Sequence, residues 1–336
     1  MNPTPLFDDR CYLTPGGTET YLHFLQGFPL DDMCGFRVLE DEEHYGRMER
    51  EYLFPIIDAA HRHGLGIALD ALVWRASRDH VLALGRRVED VARLNRLGVD
   101  RARASMDAWR EARGASEDGP PLLVAGDMGP RGDGYQASAL DADTARAYHQ
   151  PQLEALREAG VDVVTAMTLT HVEEALGVAR AARAVDLDVV ISATVETNGR
   201  LPDGSSLGEL IRSVDEATDA GPAFYMVNCA HPSHVLPALE EARRSDADWL
   251  TRFRGFRGNA SAKSHAELDE SPELDRGEPD GFAADVAAMQ RRFELTLVGG
   301  CCGTDAEHVA RLASRIAQGR REAPISARAR ATALRA

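Results

Sequence analysis

Leu295-Thr296-Leu297-Val298-Gly299-Gly300-Cys301-Cys302-Gly303-Thr304 opens the last regular unit of this chain and reads as strand, glycine turn and helix start. Its first four side chains are apolar or β-branched, as a parallel strand buried on both faces requires. Beyond the turn, residues 305–317 carry apolar side chains at three-to-four spacing. Working outward, the same alternation recurs. Strands are predicted at 12–14, 66–70, 122–125, 162–166, 188–193, 223–228, 253–258 and 295–298. Helical patterns fill the gaps at 43–63, 79–110, 143–158, 171–184, 206–218, 234–241, 282–292 and 305–317. Eight βα units with no second compositional regime predict an α/β protein, a single (β/α)8 barrel over residues 1–319 rather than an open sheet. Its first strand should lie beside its eighth.

Composition agrees with that reading. The chain has 336 residues, 44% of them hydrophobic and 27% charged, enough to build a core and far from the disordered regime. With 38 Lys+Arg against 54 Asp+Glu the formal charge is −16, which argues against a nucleic-acid partner. No apolar run approaches the roughly 18 residues of a membrane span, and residues 1–9, with Asp8-Asp9, lack a basic start followed by an apolar stretch. A cytoplasmic protein without a membrane partner is expected, and its oligomeric state is not legible. Residues 114–121 and 264–280 read as surface loops. The Ala/Arg-rich segment 320–336 has no apolar face and is expected to be poorly ordered. Five cysteines, an odd and uneven set, make no disulfide framework.

In such a barrel the chemistry sits at the C-terminal ends of the strands. Cys229 ends the sixth strand run and Cys301-Cys302 follow the eighth, so both flank the seventh in a closed ring and three thiols converge. Three thiolates leave one position of a tetrahedral metal open, the arrangement of a catalytic rather than a structural zinc site, and soft ligands favour Zn2+ over magnesium or calcium. Gly299, Gly300 and Gly303 supply the backbone freedom to turn both sulfurs inward. Cys11 and Cys34 lack such context and read as structural. His231, His234 and His265 read as surface or supporting residues, and Arg131-Gly132-Asp133 as a loop.

These residues resemble the zinc-dependent homocysteine S-methyltransferase family, whose members use betaine, S-methylmethionine or cobalamin-linked donors. The likeness lies in Gly299-Gly300-Cys301-Cys302-Gly303-Thr304 and Val227-Asn228-Cys229, then in Gly16-Gly17, Gly129-Pro130 and Arg257-Gly258-Asn259-Ala260, in the family's order. The resemblance implies a zinc-bound acceptor thiolate, such as that of homocysteine, attacking the methyl carbon of a small onium donor to give a thioether such as methionine. It implies that Cys229, Cys301 and Cys302 are both metal ligands and catalytic residues. It also implies that Gly16, Gly17 and the amides of Thr18 and Glu19 hold the acceptor's amino-acid end, and that Asn259 can approach the metal. For Glu19 a helix-start acid is an equal alternative. Trp74 is a candidate wall for the onium donor through cation-π attraction, or an ordinary packing aromatic.

The sequence departs from the family at two acids that hold the ammonium of homocysteine, since Pro15 and Met167 stand there. A buried ammonium without partners costs several kcal/mol, more than a hundredfold in binding at about 1.4 kcal/mol per tenfold. Homocysteine is therefore expected to be a poor acceptor unless another acid, Glu19 for example, substitutes, the alternative being a thiol or selenol without that amine. Two other functions compete. A zinc hydrolase should prefer His/Asp ligands and a general base, and a redox sensor would work through the vicinal Cys301-Cys302 pair.

Overall fold

The computed structural model describes residues 10–116, 118–269, 271 and 273–322. Eight parallel strands close into one ring in chain order, β1 (Tyr12–Leu13), β2 (Gly66–Asp70), β3 (Leu122–Met128), β4 (Val163–Leu169), β5 (Val189–Ala193), β6 (Phe224–Ala230), β7 (Phe253–Gly258) and β8 (Leu297–Gly300). β1 completes the ring against β8, Tyr12 opposite Leu297 and Leu13 opposite Val298, so the expected barrel is the observed one.

Every described residue of β2, β4, β5 and β6 is buried, which is why these strands read as continuous apolar runs. Alternate side chains divide between two cores. Tyr12, Ala68, Leu123, Val163, Val190, Phe224 and Met226 fill the lower barrel, where Gly66 leaves room for the Tyr12 ring. The opposite faces pack against the surrounding helices. Burying each large side chain contributes about 1.5–3 kcal/mol, so the floor is fixed and the chemistry is left to the mouth. Helices start where capping side chains stand. Ser206 and Glu209 form a reciprocal capping box before Leu207–Thr218, and Asp141 accepts from Thr144 N ahead of Ala142–Ala159.

Several boundaries differ from the sequence reading. The helix expected over 79–110 is two, Arg78–Ala83 and Asp90–Arg113, because the chain breaks at Gly85 in the left-handed region (φ +71°). Strands β3, β4 and β6 run two to three residues further than their apolar runs, and β8 is shifted to include Gly299 and Gly300. Within 264–280, expected as loop, residues His265–Asp269 are helical and Pro279 opens the helix Pro279–Phe293 at its first turn, where its missing N–H costs nothing. The expected tail boundary at 320 is also displaced. Helix Ala306–Glu322 runs through it, since Arg320 and Arg321 are good helix formers and complement the C-terminal end of the dipole. The remainder of that segment, 323–336, lies outside the described residues. Among the described residues no helix is long and apolar enough to cross a membrane.

Candidate functional site

Two strands make the site by the same device. In β6, Asn228 pairs with Arg257 and Ala230 with Gly258, so Cys229 is an extra residue, held with φ +53°. In β4 the register shifts between Ala166 and Leu169, and Thr168 has φ +56°. A regular strand sends neighbouring side chains to opposite faces, but a bulge breaks that alternation. Thus Asn228 and Cys229, and likewise Met167 and Thr168, line one cavity together.

Cys229, Cys301 and Cys302 meet at the mouth with their sulfurs within 4.8 Å of one another. Cys229 and Cys301 are joined by a disulfide and Cys302 is a free thiol, pushed above its ordinary range by burial. The bonded pair is thus not the vicinal one that a Cys301-Cys302 redox sensor requires. Reduction releases a cluster of three soft sulfur donors, which suits a thiophilic cation such as zinc.

The surroundings are ordered around that cluster. Asn228 Nδ2 donates to Cys229 Sγ at 3.3 Å and lies 4.0 Å from Cys301 Sγ, while its Oδ1 accepts from Ser192 Oγ at 2.6 Å and Thr168 N at 2.8 Å. The Cys229 carbonyl accepts from Asn259 Nδ2 at 3.1 Å and faces His265 Nε2 at 2.6 Å. Asn259 Oδ1 is buried with no hydrogen-bond partner, a free oxygen beside the cysteines that also fits a cation. The β8 turn is pinned by Cys301 N to Gly258 O at 2.7 Å and Thr304 Oγ1 to Cys301 O at 2.7 Å.

A cavity of about 210 Å³ opens beside the sulfurs, and Gly16, Gly17, Thr18, Glu19 and Trp74 are among the residues that line it. The glycines have a structural reason as well. A Cβ on Gly16 would lie 2.7 Å from Thr304 O and one on Gly17 2.5 Å from Cys301 O, so they let the first turn seat on the last. Thr18 Oγ1 meets Tyr52 Oη at 3.3 Å. Trp74 donates Nε1–H to Thr168 Oγ1 at 3.0 Å, and Arg75 lies 4.5 Å over its ring, so a cation of the protein already covers one face. Asn259 lines a second cavity, of about 420 Å³, which shares Thr20, Met33, Tyr135 and Cys302 with the first. His231 caps the helix Pro232–Arg244 and His234 Nε2 is 3.1 Å from Ala262 O, and neither belongs to the group of converging sulfurs.

Four residues of the site were not anticipated. Arg257, at 3% exposure, donates to Asp70 Oδ1 at 3.0 Å and Oδ2 at 2.7 Å, to Gly300 O at 3.2 Å, and approaches Met167 Sδ at 3.2 Å. Burial opposes its charge, but Asp70 and then Asp127 more than offset this and hold its pKa above the ordinary value. Asp127 on β3 is buried, and its carboxyl is pushed well up by desolvation and by the charges of Asp70 and Glu19. Burial likewise pushes Glu19 up to about 6. Tyr135 reaches from the Arg131-Gly132-Asp133 loop to Cys302, Oη 3.8 Å from Sγ, with its ring against His265 at 4.2 Å. Asp70, Asp127 and Arg257 stand at or near strand C-termini, and the rule that selected the cysteines applies to them equally.

A closed parallel barrel with three sulfurs at the mouth, beside a cavity walled by acids and a buried arginine, defines a barrel enzyme with a candidate thiolate metal site. The family described as Homocysteine S-methyltransferase matches residues 71–316, and the chain belongs to that family. Homocysteine S-methyltransferase YbgG of Bacillus subtilis (strain 168) is 24% identical over 236 residues, covering 67% of this chain and 71% of its own. Homocysteine S-methyltransferase of Escherichia coli (strain K12) is 25% identical over 239 residues, covering 65% and 74%. The homocysteine methyltransferase MmuM from Escherichia coli superposes with a TM-score of 0.73 in its oxidized form and 0.72 in its metallated form. Sequence identity is 22% and 21%, covering 94% of this chain and all of that one, and the likeness extends to the whole fold.

Proposed function

We propose that this family member is a zinc-dependent thiol S-methyltransferase in which Cys229, Cys301 and Cys302, once reduced, hold the metal. Convergence of the three sulfurs from β6 and the turn after β8 carries the reading. A cation held by these three sulfurs would supply the positive charge that favours the thiolate form of an incoming thiol at neutral pH. The first cavity receives the acceptor, and the methyl group passes from a small onium donor to its sulfur. The new carbon–sulfur bond forms as the carbon–onium bond breaks, and the donor leaves with that electron pair. Little acid or base work is needed, so the chain's contribution is positional.

Asn228 steadies two sulfurs by donating toward them, and Asn259 and His265 fix the Cys229 backbone from the outside. Tyr135 stands over Cys302 where the two cavities meet, so the second, larger cavity is the approach for the donor. Thr18 and Glu19 stay at the acceptor end, in the turn that Gly16 and Gly17 seat.

The disulfide favours one second reading, thiol redox chemistry, and metal content separates the two. Protein reduced, loaded with zinc and dialysed should retain one zinc per chain and convert a thiol to its methyl thioether with one member of a panel of sulfonium and quaternary ammonium donors. Cys302→Ala should lose both. A reduced protein that retains no zinc and forms no thioether would leave only the redox reading.

A further inference from the structure

The first cavity holds more negative charge than its own cations neutralise. Asp70 is committed to Arg257, and Asp32 to His80 at 2.9 Å and Arg75 at 3.6 Å. Three carboxylates are left over: Asp133, which is exposed and accepts from Tyr135 N at 2.7 Å, and the more enclosed pair Glu19 and Asp127. Among the described residues neither member of that pair has a Lys, Arg or His nitrogen at ion-pair distance. Asp127, at 2% exposure, accepts from backbone N–H groups, Val73 at 3.2 Å and its own. The Glu19 carboxylate accepts its own N–H. Two carboxyls lining one cavity, neither ion-paired nor given a side-chain hydrogen-bond donor among the described residues, call for a cationic ligand that supplies both.

We propose that Glu19 and Asp127 together form the ammonium-binding subsite for an α-amino thiol acceptor, in place of the acids absent at positions 15 and 167. The proposal rests on the reading of the first cavity as the acceptor site. An ammonium group brings one charge and three N–H donors and answers both shortages, whereas a methylated onium centre brings charge without N–H. The pair therefore selects the acceptor's amine rather than the donor. Burial has raised both carboxyls, and a cation between them relieves each. Arg257 is paired to Asp70, and although its charge also reaches Asp127 and Glu19, one guanidinium among three carboxyls leaves the group net negative. With its Nη1 3.2 Å from Met167 Sδ, Arg257 puts positive charge where the family's second acid would lie, so an ammonium is excluded there and directed to Glu19 and Asp127. The deficit expected from Pro15 and Met167 is thus met from β3 and from the first turn.

The test compares homocysteine with 4-mercaptobutyrate, the same thiol without its amine, in reduced, zinc-loaded wild type, Asp127→Asn and Glu19→Gln. Zinc content and circular dichroism check that each variant is folded. Wild type should prefer homocysteine in kcat/KM by at least about a hundredfold, and each variant should shrink that ratio at least tenfold. Calorimetric titration of both thiols without any methyl donor should show the same preference in affinity, and its loss. Thiols methylated without an amine preference, or a preference that survives both substitutions, would overturn the subsite and leave methyl transfer standing. If no thiol is methylated but the calorimetric preference appears and is lost in the variants, the subsite stands and the methyltransferase reading falls. If neither thiol is methylated and neither is preferred, both fall.

Discussion

Replacing Arg257 by methionine tests how charge is arranged in the barrel mouth. The guanidinium holds both oxygens of Asp70 at 3.0 and 2.7 Å, and the two side chains are 4% and 5% exposed. Removing the cation strands Asp70 in a wall that already contains Asp127 and Glu19. Breaking a buried pair by removing one partner costs about 3–5 kcal/mol, because the remaining charge stays desolvated, whereas replacing both partners with apolar groups of similar volume is often neutral. Arg257→Met and Asp70→Leu should therefore each lower the free energy of unfolding by that amount, and the double variant should return to within about 1 kcal/mol of wild type. Urea unfolding of the reduced, metal-free protein, followed by circular dichroism at constant m-value, measures this. A loss below about 1 kcal/mol for Arg257→Met, or a double variant that loses the sum of the singles, would refute the reasoning.

Two further outcomes are expected from the structure. Glu19, raised from 4.5 to about 6 in the folded state, gives a stability contribution that is complete below pH 4.5 and lost as pH rises through 6. Glu19→Gln should thus match wild type near pH 4 and exceed it by about 2 kcal/mol at pH 7, and a difference that does not change with pH would contradict this. Gly300→Ala places a methyl against the Thr304 side chain and 3.0 Å from Gly16 Cα, so it should cost about 1–3 kcal/mol. Gly281→Ala, in a helix with its nearest contact at 3.8 Å, should instead gain about 0.5–1 kcal/mol in the same denaturation assay, and like signs for the two would count against the packing argument.

The barrel was legible because its strands are buried on both faces and so spell unbroken apolar runs, as Val189-Val190-Ile191 does. The cysteines were legible because strand-end position and residue type coincide there. Asp127 escaped because the apolar run of β3 stops at Ala125, so a carboxylate near the end of the strand looked like a residue beyond it. Arg257 was read only as part of a motif. Its meaning depends on Asp70, 187 positions away in the chain, and no local pattern carries that. The left-handed backbone at Thr168 and Cys229 was invisible for a different reason. Neither residue type favours positive φ, so the conformation is imposed by the closed ring and not by the residues themselves. Tyr135 lay in a loop whose tripeptide Arg131-Gly132-Asp133 drew attention from the aromatic two residues on.

The placement of the three sulfurs on β6 and after β8, with β7 between them and 72 positions separating Cys229 from Cys301, also sets an order of events in biogenesis. A nascent chain presents Cys229 alone until its final βα unit leaves the ribosome, and the two strands become next-but-one neighbours only after β7 and β8 have docked. If the proposed ligand set is right, metal capture would close assembly rather than nucleate it. A product truncated before residue 301 would keep one of the three converging sulfurs and so lack the proposed ligand set.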